Sequence, residues 1–276
     1  MNYQAPAYLT PFILTGMILV IATLVLGLRR VLRSAAWPKA DRTKGLWSVS
    51  ALLVGWFVVA TATSVAGFYR PASGPPTIQY GLLTPIVVGV LAFLTWPLIR
   101  RIVASVPAAW LVGVQFYRVL GVIFVVLYAG RHLPGIFALP AGVGDTLVGI
   151  LAPFVAASFP RSPEKSVRRV RLWNLLGIAD LVIAVTLGFL TSPSPLQMFA
   201  FDRPSGLIAM FPLSLIPVFA VPLSILLHFA SLQKLRQDQK AGHRSLRTDR
   251  MIPGLQSEGI GSSGESNMKR AFGIQR

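Results

Sequence analysis

The sequence contains no cysteine, and among its 276 residues it has only three histidines and nine acidic residues. The absence of cysteine excludes disulfides, thiolate metal sites and cysteine nucleophiles. His132, His228 and His243 are far apart and share no predicted helix face, so neither a haem nor a histidine metal site is predicted. We expect His228 near the cytoplasmic end of the last apolar segment, as an interfacial or helix-capping residue. The sequence predicts no cofactor and no metal.

Charged residues make up 13% of the chain and hydrophobic residues 54%. The hydrophobic residues fall in seven blocks of about 20, the length that a helix needs to cross a hydrocarbon core of about 30 Å. The blocks cover approximately 10–28, 47–69, 80–99, 110–130, 136–159, 172–191 and 210–232. This pattern predicts an all-α, polytopic transmembrane helix bundle with seven spans.

The 26 basic residues are distributed unevenly between the two ends of the predicted spans. Alternate connections and the C-terminal tail carry 22 of them, the other connections carry three, and Arg118 lies inside a span. Basic connections stay in the cytoplasm, so the N-terminus is predicted outside and the C-terminus in the cytoplasm. This asymmetry also explains the net charge of +17, and no nucleic-acid partner is predicted.

Two regions are expected, a transmembrane domain over 1–232 and a basic cytoplasmic tail over 233–276. The end of the tail, GLQSEGIGSSGESNMKRAFGIQR, is polar and rich in glycine and serine. Such a composition buries too little apolar surface to fold, so disorder is predicted there.

Three ionisable residues, Arg118, Asp145 and Asp180, fall well inside predicted spans. At 1.5 Å per residue, Asp145 lies about 14 Å from the start of its span, which is near the midplane, and Asp180 reaches a similar depth. A charge at that depth costs about 2.5 to 3.5 kcal/mol on insertion scales, so we expect Arg118 to pair with one of the aspartates.

Two amides extend this group into a polar seam on the fourth, fifth and sixth spans. Gln115 lies three residues before Arg118 and shares a helix face with it, and Asn174, Gly177 and Asp180 form a comparable row at spacing three. Small residues around Asp145 allow another backbone to approach it closely. The candidate ligand or ion site therefore consists of Asp145, Asp180, Arg118, Gln115 and Asn174.

The motifs QFYR, FALPAGVGD and WNLLGIAD, in this order, resemble a family of uncharacterised bacterial polytopic integral membrane proteins. The resemblance covers roughly residues 110–190 and implies a multi-pass protein of the bacterial inner membrane. It brings no activity, cofactor or ligand with it, but it supports treating the five polar residues as one unit.

Three functions remain open from the sequence. One arginine cannot neutralise two aspartates, so either one carboxyl stays protonated or a cation completes the site, as in proton- or cation-linked transport of a small solute. The alternative is a structural or sensory membrane protein in which the same residues form a helix-packing network. An intramembrane aspartyl protease is less favoured, because GVGD matches one of its usual motifs while IAD lacks the tyrosine of the other.

Overall fold

The computed structural model describes residues 4–35, 37–71, 76–159 and 163–251, and within them the chain is helical with no strand. Seven helical segments in this part are long and apolar enough to cross a membrane. The helices are α1 (Leu9–Ser34), α2 (Lys39–Val65), α3 (Ile78–Thr95), α4 (Pro97–Ser105), α5 (Ala108–Ala129), α6 (Gly135–Ala157), α7 (Pro163–Thr191) and α8 (Val221–Met251).

Each predicted apolar block corresponds to one of the seven long helices, although several boundaries were wrong. Helix α1 continues to Ser34, six residues past the predicted end, and α2 and α7 begin eight and nine residues before their predicted starts, at Lys39 and Pro163. In each case the helix continues through polar residues that the apolar count leaves out. The short helix α4 was not predicted, because its nine residues include Arg100 and Arg101.

Large apolar side chains cover much of the outer surface of the bundle. On α2, α3 and α6, Val58, Leu83 and Phe154 are 57%, 53% and 69% exposed. Between Val221 and Leu235, α8 is largely buried in the interior, whereas Leu82 is the only buried residue of α3. Three polar side chains of this stretch, Ser224, His228 and Ser231, are buried.

Helix α5 changes its winding in the middle. Its ends are α-helical, but Val114–Gly121 is a 3₁₀ helix of eight residues, a long run for this conformation. At three residues per turn, positions three apart lie directly above one another. Gln115, Arg118 and Gly121 consequently form one buried row, which confirms that Gln115 and Arg118 share a face.

The last of the seven long apolar helices begins later than predicted. Residues 206–209 form a 3₁₀ turn, the chain turns again up to Leu215, and a π-helical turn, Ile216–Ala220, leads into α8. Pro212 and Pro217 have no amide hydrogen to donate, so each removes one hydrogen bond from a regular helix in this stretch. The predicted start at residue 210 was therefore wrong by six residues.

Helix α8 continues past Gln233, where the predicted tail starts, and ends at Met251. The chain divides after Leu235 into two compact units, and the helical residues from Arg236 to Met251 belong to the second. The polar sequence for which disorder is predicted begins at Gly254 and lies outside the described residues.

Candidate functional site

Arg118 lies between the two aspartates and contacts both. Its Nε and Nη2 atoms are each 2.7 Å from Oδ1 of Asp145, and Nη2 is 2.5 Å from Oδ2 of Asp180. Only 1% of the Arg118 side chain is exposed, against 13% and 14% for the two aspartates. The expected pairing of Arg118 with an aspartate is present, and it involves both of them.

The remaining nitrogen of the guanidinium, Nη1, is directed at α7 and α8. It donates to the backbone oxygen of Gly177 at 3.3 Å and lies 3.0 Å from Nε2 of His228. Arginine can only donate, so His228 Nε2 is the acceptor and carries no hydrogen. Its other ring nitrogen, Nδ1, then carries the hydrogen and donates to Oδ1 of Asn174 at 2.9 Å. His228 is therefore a neutral imidazole.

Asn174 extends these hydrogen bonds by one step. Its amide nitrogen donates to the backbone oxygen of Val170 at 2.8 Å and to Oγ of Ser231 at 3.1 Å. Asn174, His228 and Ser231 are all fully buried. Each polar atom of the Asn174 side chain has a partner, as buried amides require.

The prediction for His228 was wrong, because this residue is buried inside the bundle instead of lying at an interface. The expectation placed it by its distance from the end of the apolar block, but α8 continues beyond that block. A signal was present in the sequence: Ser224, His228 and Ser231 are spaced by four and three residues, which places them on one face of a helix. All three are buried, and Ser224 Oγ lies 2.6 Å from the Tyr117 hydroxyl.

Gln115 is the one predicted site residue that the cluster does not include. It is fully buried, and neither its Oε1 nor its Nε2 has a hydrogen-bond partner in the described chain. The other four candidates meet through Arg118 and His228. We call Arg118, Asp145, Asp180, His228 and Asn174 the central cluster.

Glycines allow the helices to approach one another closely around the central cluster. A Cβ atom added at Gly144 would overlap Oδ1 of Asp180, and one added at Gly121 would overlap the side chain of Asp145. At Gly177 it would meet the ring of His228 and, at 3.1 Å, Nη1 of Arg118. These glycines therefore determine how close the aspartates and the histidine come to Arg118.

The central cluster has more negative than positive charge when both aspartates are ionised. Arg118 contributes one positive charge, His228 none, and the two carboxylates two negative charges. The second oxygens, Oδ2 of Asp145 and Oδ1 of Asp180, receive no hydrogen bond from the described residues. One negative charge and two acceptor oxygens are thus left for a proton or a cation.

Two small cavities, of about 60 and about 40 Å³, reach the central cluster at Asp145. The larger extends from Asp145 past Phe137 and Gly188 to Ser192, at the end of the bundle that carries the α2–α3 and α7–α8 connections. The smaller lies toward α1 and also contacts Arg118. Both cavities are lined mostly by apolar residues, and the two share Asp145, Leu181, Ile216 and Val221.

The arrangement does not resemble a metal site. The Arg118 guanidinium occupies the space between the carboxylates and His228, so one metal ion cannot bind all three side chains. No group of three or more histidine, aspartate or glutamate side chains in the described ranges could hold a metal ion.

A family model described as a domain of unknown function, DUF8737, matches residues 75–236, more than half of the chain. The chain belongs to the DUF8737 family. The matched region begins just before α3 and contains every residue of the central cluster, together with both cavities except the part contributed by α1. The resemblance to an uncharacterised family agrees with this assignment. No curated protein and no solved structure matches the chain.

Proposed function

We propose that this DUF8737 chain is a multi-pass integral membrane protein of the bacterial inner membrane. The proposal is supported by seven helices of sufficient length and apolarity, and by a bundle surface rich in exposed valine, leucine and phenylalanine. Exposure of such an apolar surface to water is unfavourable, whereas contact with lipid chains is favourable. The distribution of basic residues supports an external N-terminus and a cytoplasmic C-terminus.

This topology is testable with reporter fusions in a bacterial host. Alkaline phosphatase is active only outside the cytoplasm, and it is expected to be active when fused after Gly74 or Ser205. Green fluorescent protein fluoresces in the cytoplasm, and it is expected to fluoresce when fused after Lys44, Val167 or Lys240. The 22 basic residues on one side against three on the other are the reason. An external position at Lys240 would contradict the seven-span arrangement.

Within this membrane protein, we propose that the central cluster binds one proton or one small cation and serves proton- or cation-linked transport of a small solute. The observation that carries this proposal is the sharing of one guanidinium by two carboxylates, with a neutral histidine as its third side-chain partner. Two cavities reach Asp145, which adds support, because a transported ion or solute needs space at its binding residue.

A helix-packing network is the second candidate, and direct contacts favour it. Each carboxylate already has Arg118 as a partner, and the cavities at Asp145 are small and mostly apolar. Interhelical polar contacts in membranes average about 0.6 kcal/mol, less than the insertion cost of one aspartate, so packing alone accounts poorly for two. An aspartyl protease is disfavoured, since such enzymes need a shared proton and a water molecule where Arg118 lies.

Difference infrared spectroscopy distinguishes proton, cation and packing roles. If one carboxyl holds a proton, the wild type in detergent is expected to show a carboxylic acid C=O band that titrates with pH and disappears in Asp145→Asn or Asp180→Asn. If a cation takes its place, that band is absent and the melting temperature (Tm) rises with sodium or potassium concentration. A chain that shows neither response would favour the packing network.

The melting temperature of Asp145→Asn between pH 5 and pH 9 provides a second measurement. Arg118 retains Asp180 in this variant, so we expect little loss of stability and a weaker pH dependence than in the wild type. If Asp145 serves only to compensate Arg118, its loss should cost about 3 to 5 kcal/mol at neutral pH. Asp41→Asn is the matched control, because Asp41 pairs with Arg101 at the surface, where such pairs contribute about 1 kcal/mol or less.

A further inference from the structure

The larger cavity at Asp145 combines apolar walls with a single ionisable residue. Phe124, Phe137 and Phe189 contribute aromatic rings, and Leu181 and Ala184 contribute aliphatic groups. The rings of Phe124 and Phe137 pack edge to face with centroids 5.4 Å apart. Of the 17 residues that line the cavity, the only other polar side chain besides Asp145 belongs to Ser192.

The charge of the cavity determines which ligands fit. Arg118 holds only Oδ1 of Asp145, and the central cluster keeps one negative charge when both aspartates are ionised. An anion would be repelled, and a neutral solute would leave that charge uncompensated. A cation is therefore favoured. This preference rests on the proposed function, because both depend on the same excess negative charge.

The walls exclude strongly hydrated metal ions. Ca²⁺ takes six to eight oxygen ligands and Mg²⁺ demands six, whereas this cavity offers one carboxylate and one serine hydroxyl. A protonated amine has different needs. Its N–H groups donate to a carboxylate, its alkyl group packs against apolar walls, and aromatic rings attract its charge.

We propose that this cavity binds a small primary alkylammonium ion, with its ammonium group at Asp145 and its alkyl group against the phenylalanines. A volume of about 60 Å³ is roughly twice that of one water molecule in the liquid, which suits an amine of one or two carbons. Binding of this cation replaces the proton of the central cluster, since either one balances the same charge.

The test uses the full chain in detergent, with methylammonium chloride as the probe and sodium chloride at equal ionic strength as the reference. Methylammonium is expected to raise the Tm in a saturable manner, and ethanol, a neutral molecule of similar size, is not. The carboxylic acid C=O band should lose intensity as methylammonium is added, because the ammonium ion displaces the proton.

Two variants locate the binding in the cavity. Asp145→Asn should weaken binding about tenfold or more, since a hydrogen bond to a charged group is lost. Ala184→Leu fills the cavity without touching a charge and should weaken binding similarly while the C=O band still titrates. Ala179→Leu is the matched control, because Ala179 lies on the same helix, is exposed and does not line the cavity.

The outcomes separate this proposal from the proposed function. Equal methylammonium responses in the wild type and Ala184→Leu would place binding elsewhere and overturn the proposal. A C=O band that titrates with no methylammonium response would also overturn it, while the proton site would stand. The absence of both the band and every cation response would remove the proposed function together with this inference.

Discussion

Replacement of Arg118 by leucine is expected to destabilise the bundle by about 3 to 5 kcal/mol, because two largely buried carboxylates lose their shared partner. Nε2 of His228 and the backbone oxygen of Gly177 also lose their donor. Equilibrium unfolding in mixed detergent micelles measures this loss. The yield of monodisperse protein should fall with it.

The second aspartate makes a rescue experiment possible. In Arg118→Leu, the additional change Asp145→Asn removes one of the two uncompensated charges and keeps the shape of the side chain. The loss in free energy of unfolding in the double variant should therefore be smaller than the sum of the two single losses. The expected difference is about 0.5 to 3 kcal/mol, the range for residues in contact. Additive losses would contradict a direct interaction between Arg118 and Asp145.

Arg101→Leu provides the matched control for the loss of a charge. Arg101 pairs with Asp41 at 2.8 Å and lies over the ring of Trp37, but half of its side chain is exposed. Because Arg101 is half exposed, its charge interactions are screened by water, and Arg101→Leu is expected to lower the free energy of unfolding by about 1 kcal/mol. A comparable loss at both positions would show that burial of Arg118 contributes little.

The contact of Arg118 with the aspartates could be predicted from the sequence because an unpaired charge inside the membrane is costly and the three residues lie at similar depths. A charge far inside an apolar block is expensive, and the depths of Asp145 and Asp180 follow from counting residues along a helix. The seven long helices could be predicted for a similar reason, since apolar length is a direct requirement of the bilayer.

The position of His228 depends on information that no single segment contains. It faces Arg118 because the first part of α8 lies in the interior and follows a π-helical turn, which changes the rotation of the residues after it. The 3₁₀ winding of Val114–Gly121, which keeps Gln115 and Arg118 in one buried row, also depends on contacts outside its own segment. Local propensity does not specify either feature, since a 3₁₀ run of eight residues is unfavourable by itself and depends on tertiary packing.

Gly144→Ala is expected to disturb the central cluster more than the addition of one methyl group suggests. The new Cβ would overlap Oδ1 of Asp180, whose other oxygen is held by Arg118. The strain is relieved either by separation of α6 from α7 or by movement of Asp180 away from Arg118. Overpacking of this kind typically costs about 1 to 3 kcal/mol, and the infrared bands of the aspartates should shift with it.

Gly55→Ala is the control for the change of residue type. Gly55 lies in the exposed part of α2, and a Cβ added there meets nothing within 4 Å. Alanine is favoured over glycine in a helix by up to about 1 kcal/mol, so this variant should be as stable as the wild type or more stable. A loss at Gly144 with none at Gly55 therefore reports the contact with Asp180.

A double variant then identifies the atom responsible. Asp180→Ala removes the carboxylate that the Cβ would overlap, while Asp145 still compensates Arg118. In that background Gly144→Ala should cost little, because the space it needs has been vacated. If Gly144→Ala is equally harmful with and without the Asp180 carboxylate, the contact of α6 with α7 depends on backbone packing, and the glycine has no part in positioning the aspartate.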